Sequence, residues 1–176
     1  DVTYDANANS IRPACFSNGG TSNIIRYKNY KIASGTYEEP TCKGYTFKGW
    51  YYGDELFDLF SITSDVTVRT SWDGNINSIT YNLDEGQINS DAPVQYKTGE
   101  KIIALPTPTR TGYTFLGWTG SNGATPQKNV SISLTDYGDK TYTANWQLNS
   151  YNITYDLNGG TATGLKTSYN YFESFS

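Results

Sequence analysis

The sequence contains no histidine, no methionine and only two cysteines. Structural and catalytic zinc sites are built mainly from cysteine and histidine, so the usual ligand sets cannot be assembled. A catalytic triad that depends on histidine is excluded for the same reason. Because no other nucleophile, base or metal constellation is visible, we predict no catalytic residues, no metal site and no cofactor.

Concentrated charge and long apolar runs are also missing. The chain has 13 Lys and Arg against 17 Asp and Glu, with no long basic run. Phosphate binding needs a clustered basic face, so a nucleic-acid partner is not expected. No apolar run is long enough to span a membrane, and no signal-peptide pattern precedes Asp1. Because the chain does not begin with Met, we expect a processed or excised piece of a longer protein.

Residues that form strands and turns are abundant, with 16 Tyr and 17 Gly in the chain. Aromatic and β-branched side chains fit the pleated surface of a sheet, and glycine permits tight turns. This composition favours a β-rich extracellular protein.

A heptapeptide recurs almost unchanged in the chain. Gly44–Trp50 (GYTFKGW) returns as Gly112–Trp118 (GYTFLGW), with six of seven positions identical. Other residues return at similar offsets: Tyr4 recurs as Tyr81 after 77 positions, and Tyr81 recurs as Tyr155 and Trp72 as Trp146 after 74. Similarity at a fixed spacing indicates tandem repeats.

The repeats set the predicted domain boundaries. We predict a first module over 1–74, a second over 78–147 and an incomplete third, an opening hairpin only, over 150–176. Short linkers are expected at 73–77 and 147–150. A half repeat leaves a strand edge without a partner, so we favour a truncated third module over a hairpin that caps the second.

The alternation within the heptapeptide predicts a half-buried strand. Its Tyr and Phe are two residues apart, so both rings leave the same face. The glycine before the tryptophan indicates a bulge that tips the indole into the core. An aromatic platform for sugar is the alternative to this core interpretation. The predicted core residues are Tyr45, Phe47, Trp50, Trp72, Tyr113, Phe115, Trp118 and Trp146.

Two polar stretches are open to more than one interpretation. Asp54–Phe60 has apolar residues at a spacing that suits a short helix or an irregular packed loop. The acidic residues of Glu38-Glu39 and of Asp54, Glu55 and Asp58 suggest a calcium site or a glycosidase pair. Neither cluster recurs in the second repeat, so we interpret both as solvated charge.

The second repeat carries a longer motif, LPTPTRTGYTFLGW over Leu105–Trp118, and closes with Ala144-Asn145-Trp146. This pattern resembles the Listeria/Bacteroides repeat, also called the internalin B B-repeat. The first repeat keeps the heptapeptide and Trp72, and the third shows only an opening Asp-Leu-Asn-Gly-Gly.

The resemblance implies a β-rich α+β fold. It implies tandem small β-grasp-like modules, each of about four strands plus a short helix or loop crossover, in an elongated array. It also implies a bacterial cell-surface or secreted protein, and the family supplies no catalytic residues or agreed ligand to carry over.

Both cysteines lie in the first repeat and are absent from its sister repeat. Cys15 falls in an insertion, and Cys42 stands where the second repeat has Arg110. We predict a Cys15–Cys42 disulfide, which argues for an oxidising compartment. Two free thiols in separate loops are the alternative.

Two functions fit this sequence better than an enzyme fragment. We favour a non-enzymatic extracellular spacer or stalk that presents an adhesive domain. The alternative is a direct binding module for carbohydrate or a host protein, because tyrosines crowd the first repeat beyond what its core can absorb. The candidate ligand-binding residues are Tyr27, Tyr30 and Tyr37. We expect a monomer, or a weak dimer through the open edge of the third repeat.

Overall fold

The computed structural model describes residues 2–5, 41–57 and 66–174, and every regular element in these ranges is a strand. The prediction of a β-rich chain is confirmed. The strands are β1 (Val2–Asp5), β2 (Tyr45–Tyr52), β3 (Glu55–Leu56), β4 (Val66–Gly74), β5 (Ile76–Asn82), β6 (Gln95–Lys97), β7 (Ile103–Ala104), β8 (Tyr113–Gly120), β9 (Gly123–Gln127), β10 (Ser131–Ile132), β11 (Lys140–Leu148), β12 (Ser150–Asn152) and β13 (Ser168–Asn170).

The chain divides into two compact units, each assembled from segments that are distant in sequence. Two short segments from the predicted second module belong to the first unit. Unit 1 comprises Asp1–Ser78, Gln95–Ile102 and Ser133–Gly138, and unit 2 comprises Ile79–Val94, Ile103–Ile132 and Asp139–Ser176.

Unit 1 contains a four-stranded sheet in the order β1-β4-β2-β3. β1 runs parallel to β4, and β4 runs antiparallel to β2, with Phe47 opposite Trp72. A second antiparallel pairing joins residues 76–78 of β5 to β6. The first strand of the repeat thus lies beside its closing strand, which in turn lies beside the heptapeptide strand.

Unit 2 has the same arrangement. Residues 79–82 of β5 run parallel to β11, β11 runs antiparallel to β8, and β8 runs antiparallel to β9. Phe115 lies opposite Trp146, as its counterpart does in unit 1. Two further antiparallel pairs are β7 with β10 and β12 with β13. The two copies of the heptapeptide therefore occupy the same place in the same strand order.

A bulge interrupts the pairing of the heptapeptide strand in both units. The register shifts between Phe47 and Gly49 in unit 1 and beside Trp146 in unit 2. Gly117 has a φ of 143°, and a Cβ there would lie 2.5 Å from the backbone N of Gln127. A phenylalanine and a tryptophan three residues apart would face opposite sides of a regular strand, and the bulge brings both to the core.

The heptapeptide phenylalanine contacts both tryptophans of its repeat. In unit 1 the ring centroid of Phe47 lies 5.8 Å from that of Trp50 and 5.3 Å from that of Trp72. In unit 2 the two corresponding distances from Phe115 are both 5.4 Å. Tilted and edge-on aromatic pairs of this kind contribute about 0.5–1.5 kcal/mol each beyond their buried area.

Burial differs among the eight aromatic residues predicted for the core. Trp118 is fully buried, and Tyr45 and Phe115 are each 9% exposed. The other five are half-buried: Phe47, Trp50, Trp72, Tyr113 and Trp146. Unit 2 also buries side chains from outside the heptapeptide, which are Ile79, Ile103, Leu105, Val130, Ile132, Tyr142 and Ala144.

The predicted short helix is wrong where the structure describes it. Glu55–Leu56 forms β3, which pairs with the end of β2, and Gly53 lies in the turn between them with a φ of 59°. A glycine with left-handed backbone permits a tight turn, so the residues after the turn pair antiparallel with the end of the preceding strand. Asp58–Phe60 lies outside the described residues. The described part of the chain is all-β rather than α+β.

Replacing Phe115 with Ala should destabilise the protein by about 3–5 kcal/mol, because a buried ring between two tryptophans is lost and a cavity remains. The measurement is urea denaturation followed by tryptophan fluorescence. The matched control is Leu116→Ala, at a neighbouring residue that is 40% exposed, where the change should stay within about 0.5 kcal/mol. Equal losses in the two variants would contradict the role given to the aromatic contacts.

Candidate functional site

A single residue separates the closing strand of each repeat from the strand that follows. β4 ends at Gly74 and β5 begins at Ile76, with Asn75 between them. β11 ends at Leu148 and β12 begins at Ser150, with Asn149 between them. The segments expected to be linkers thus consist largely of strand residues. We call Asn75 with its hydrogen-bond partners junction 1 and Asn149 with its partners junction 2.

At junction 1, three hydrogen bonds tie Asn75 to the heptapeptide and to the residue that follows β6. The hydroxyl of Thr46 donates to Oδ1 of Asn75 at 2.7 Å. The backbone N–H of Asn75 donates to the carbonyl of Gly44 at 2.8 Å, and its carbonyl accepts from the N–H of Thr98 at 3.0 Å. The asparagine therefore ties the heptapeptide strand to the residue that follows β6.

At junction 2, Asn149 makes the same three hydrogen bonds within unit 2. The hydroxyl of Thr114 donates to Oδ1 of Asn149 at 2.6 Å. The N–H of Asn149 donates to the carbonyl of Gly112 at 2.9 Å, and its carbonyl accepts from the N–H of Tyr171 at 2.9 Å. The matching donors, acceptors and distances show that the two junctions have the same hydrogen-bond arrangement.

The first glycine of each heptapeptide makes room for the incoming chain. Gly44 has a φ of 79°, and a Cβ on it would lie 2.5 Å from Cβ of Tyr137. Gly112 has a φ of 78°, and a Cβ on it would overlap the ring of Tyr171. A larger residue would be strained by the left-handed backbone and would displace the aromatic neighbour.

A buried asparagine adds a second layer to junction 1. Asn77 is 7% exposed, and its Nδ2 donates to the carbonyl of Asn75 and to the hydroxyl of Thr98, both at 3.0 Å. Its Oδ1 accepts from the N–H of Gly138 at 3.0 Å, and the hydroxyl of Tyr96 donates to the carbonyl of Gly138 at 2.6 Å. Every polar group of the buried amide is satisfied, which avoids the penalty for a buried unpaired group.

The equivalent position in unit 2 has different chemistry. Tyr151 stands 74 positions after Asn77, and its ring pairs with that of Tyr169 at 5.3 Å between centroids. Tyr151 is 40% exposed. The two junctions therefore share their asparagine contacts and differ in what lies next to them.

A surface ion pair also crosses junction 1. Nζ of Lys97 in β6 lies 2.7 Å from Oδ1 of Asp73 at the end of β4. The hydrogen bond from Lys97 lowers the pKa of Asp73 below its ordinary value of 3.8 and raises the pKa of Lys97 above 10.5. The pair thus favours the folded state above pH 3.8, is lost as the pH falls through the lowered pKa of Asp73, and is lost again in strong alkali.

A second cluster surrounds Arg110 in unit 2. The guanidinium donates to Asp84 at 2.6 Å and to Glu85 at 2.8 Å, and it lies 4.0 Å above the ring of Tyr113. Asp84 and Glu85 have φ values of 48° and 62°, in a turn closed by the N–H of Gly86 and the carbonyl of Leu83. Left-handed backbone opposes side chains at two successive residues, and the arginine offsets that strain by pairing with both carboxylates.

The Arg110 cluster borders a cleft of about 360 Å³. Phe172 forms part of its wall, is 76% exposed and has a φ of 70°. The residue that precedes it, Tyr171, contacts it at 4.4 Å between centroids. In unit 1 the equivalent residue after the hairpin is Gly99, with a φ of 78°. The cleft is lined by Glu85, Gln87, Thr109, Arg110, Thr111, Tyr113 and Phe172.

Several residues singled out from the sequence lie outside the described ranges. They are Cys15, Tyr27, Tyr30 and Tyr37, so the disulfide and the tyrosine ligand site stay predictions. Cys42 is 7% exposed, and its carbonyl accepts from the N–H of Tyr45 at 3.1 Å. Within residues 2–5, 41–57 and 66–174, no group of three His, Cys, Asp or Glu residues is placed to hold a metal ion. No helix able to cross a membrane is found in the same ranges.

Sequence reasoning missed the two junction asparagines. Each lies three residues after the closing tryptophan of its repeat, Asn75 after Trp72 and Asn149 after Trp146. That shared spacing is the signal that could have marked them. The spacing alone does not indicate a role for the asparagines, because only the strand register shows which glycine and threonine they contact.

Removing Lys97 should return the carboxyl of Asp73 to ordinary behaviour. In a Lys97→Met variant, we expect the pKa of Asp73 to rise toward 3.8, because the hydrogen bond that lowers it is gone. The measurement is a carbon-13 NMR titration of the carboxyl group. Lys101→Met, which changes an exposed lysine four residues after Lys97, is the control. An unchanged titration in the first variant would show that the ion pair does not form in solution.

The comparisons with known proteins place the chain in a family. The Listeria-Bacteroides repeat domain matches residues 1–72 and 78–146. One relative, named "Putative membrane protein", from Evansella cellulosilytica, is 30% identical over 131 residues, which are 70% of this chain and 19% of that protein. A second from the same bacterium, named "Putative Gly-rich membrane protein", is 27% identical over 150 residues, 82% of this chain and 17% of its own length.

The chain thus spans less than a fifth of the length of these relatives. No solved structure matches it. The two family matches cover most of the sequence and fall on the two heptapeptide repeats, so the chain belongs to the Listeria-Bacteroides repeat family.

Proposed function

We propose that this chain is a non-enzymatic, extracellular repeat region of a bacterial cell-surface or secreted protein. Its role is that of a spacer that presents an adhesive domain, built as a tandem array of β-grasp-like modules. The observation that carries the proposal is the pair of one-residue junctions, each fixed by the same three hydrogen bonds. The family is a repeat family rather than an enzyme family, which agrees with this role.

The physical argument concerns how repeats are joined. Flexible linkers let neighbouring domains reorient, because their polar backbone is solvated and their end-to-end distance varies. At both junctions the N–H of the linking residue donates a hydrogen bond to one neighbouring segment, and its carbonyl accepts one from another. One strand ends directly before this residue and the next begins directly after it. A linking residue held in this way restricts the reorientation of the segments it joins. A spacer requires such a restriction, and an isolated binding module does not.

The spacer role predicts that the junctions are as rigid as the strands. Nitrogen-15 relaxation of residues 73–78 and 147–152 should give order parameters near those of rigid backbone, about 0.85. Inserting Gly-Ser-Gly-Ser after Asn75 should lower the values in the first segment and leave those in the second unchanged. Order parameters below about 0.6 at both junctions of the unmodified protein would contradict the spacer role.

A second candidate function is a direct binding module for carbohydrate or a host protein. The sequence indicates it through Tyr27, Tyr30 and Tyr37, and the cleft at Arg110 supports it separately. Phe172 holds a bulky side chain in a left-handed conformation and exposes most of it, so burial does not repay the strain. An exposed aromatic side chain beside fixed carboxylate and guanidinium groups suits the apolar face and hydroxyl edge of a sugar ring.

This alternative predicts saturable binding that depends on the cleft. On a panel of oligosaccharides and matrix proteins, a Phe172→Gly variant should lose binding but not stability, because Gly99 adopts the same backbone conformation. Leu165→Ala, at an exposed residue outside the cleft lining, is the control. A variant with Tyr27, Tyr30 and Tyr37 changed to Ser tests the first repeat separately. No binding by the unmodified, folded protein would reject the alternative.

A further inference from the structure

We propose that Asn75 and Asn149 are clasps through which each repeat docks the opening hairpin of the repeat that follows it. The docking surface, which we call the clasp surface, consists of the first heptapeptide glycine, the heptapeptide threonine and the asparagine. The partner is the opening hairpin of another repeat of the same kind. The inference rests on the proposed spacer function and identifies the contacts by which the spacer is assembled.

The strand register determines where the asparagine lies. Gly74 is opposite Tyr45 in the β2–β4 pair, and Leu148 is opposite Tyr113 in the β8–β11 pair. The next residue along the closing strand is therefore level with the heptapeptide glycine, whose carbonyl accepts its N–H. Because the closing tryptophan sets this register, an asparagine three residues after it reaches the clasp surface in both units.

The asparagine side chain supplies a group that the backbone lacks. Any residue except proline could provide the N–H to the glycine, and any residue could provide the carbonyl to the hairpin. An acceptor for the threonine hydroxyl requires a side-chain oxygen close to the main chain, which asparagine and aspartate have and alanine lacks. The bonds from Thr46 at 2.7 Å and Thr114 at 2.6 Å fix the side chain, and the residue's own carbonyl then accepts from the incoming hairpin.

The hairpin presents the complementary groups. In unit 1 the N–H of Thr98, just after β6, meets the carbonyl of Asn75, and in unit 2 the N–H of Tyr171, just after β13, meets that of Asn149. The glycine of the clasp surface lies against Thr98 in unit 1 and against the ring of Tyr171 in unit 2. In both units, then, the end of an opening hairpin contributes one N–H donor to the asparagine carbonyl. The residue that carries this N–H lies in the space beside the heptapeptide glycine, where a Cβ would not fit.

The clasp can be recognised in a sequence once its geometry is known. It requires Gly-x-Thr in the heptapeptide and an asparagine three residues after the closing tryptophan. Both complete repeats satisfy this rule, with Thr46 and Asn75 in the first and Thr114 and Asn149 in the second. A repeat that lacks the threonine or the asparagine should be joined to its successor by a looser junction.

A double-mutant cycle at junction 1 tests the clasp in the whole protein. The variants are Asn75→Ala, Thr46→Val and the two combined, and the readout is amide hydrogen exchange at the N–H of Thr98. Each single change should reduce protection about fivefold to tenfold, the size expected for one hydrogen bond. The double variant should lose no more than either single variant, since both remove the same bond.

Two controls separate the clasp from general destabilisation. Asn82→Ala removes a hydrogen bond in which Nδ2 of Asn82 donates to the hydroxyl of Thr143 at 3.3 Å, an Asn–Thr pair that lies within one repeat. This change should leave Thr98 protected. Amides of β2 should stay protected in all variants, which shows that the repeat remains folded. At junction 2, Asn149→Asp should preserve protection at Tyr171 because an acceptor is kept, whereas Asn149→Ala should reduce it.

The outcomes distinguish the clasp from the spacer role. Unchanged exchange at Thr98 in Asn75→Ala, with rigid junctions in the unmodified protein, overturns the clasp and leaves the spacer in place. Additive losses in the cycle also overturn it, because the two side chains would then act independently. Mobile junctions in the unmodified protein reject the spacer role itself.

Discussion

The contact between the heptapeptide phenylalanine and two tryptophans organises the two repeats that carry the heptapeptide. One tryptophan comes from the same strand and the other from the closing strand, so a single ring joins the two strands through their side chains. Phe47 and Phe115 make this contact with centroid distances between 5.3 and 5.8 Å. A slip of one residue would move every side chain to the opposite face, so the aromatic cluster specifies the register strongly.

The register also determines which residue follows each closing strand and which part of the heptapeptide that residue contacts. With each closing tryptophan held opposite its phenylalanine, the strand ends opposite the heptapeptide tyrosine. The next residue, Asn75 or Asn149, is then level with the first heptapeptide glycine. The same asparagine begins the path into the next hairpin. Core packing within a repeat and the hydrogen bonds from its asparagine to the next hairpin therefore depend on one alignment.

Within the described ranges, the residues other than glycine that have left-handed backbone all lie in unit 2. The third repeat makes its opening turn with Asn158 and Gly159, residues that tolerate left-handed backbone. The second repeat places Asp84 and Glu85 there, and Arg110 compensates by pairing with both. Phe172 occupies a left-handed position without comparable compensation, since most of its surface is exposed. Backbone strain is frequent at functional sites, and here it lies beside the cleft at Arg110.

Much of the fold could be read from the sequence, because its evidence is local and periodic. The alternation in Gly44–Trp50 predicted a strand with its rings on one face, and the repetition predicted a second copy with the same role. Asp54–Phe60 was expected to be a short helix or an irregular packed loop, and the helix is wrong where the stretch is described. The spacing of apolar residues does not take account of the turn at Gly53, after which Glu55–Leu56 pairs with β2. A short apolar run fits a helix or a strand equally well until its neighbours are known.

The sequence by itself determined the repeat, its strands, its aromatic residues and its family, since these depend on residue types at fixed short spacings. Only the tertiary structure decided which side chains meet across the sheet. Thr46 and Asn75 are 29 residues apart, and Thr114 and Asn149 are 35 apart. Hydrogen bonds between residues so far apart in the sequence arise from strand pairing. Because the two separations differ, the sequence does not show that the two pairs are equivalent.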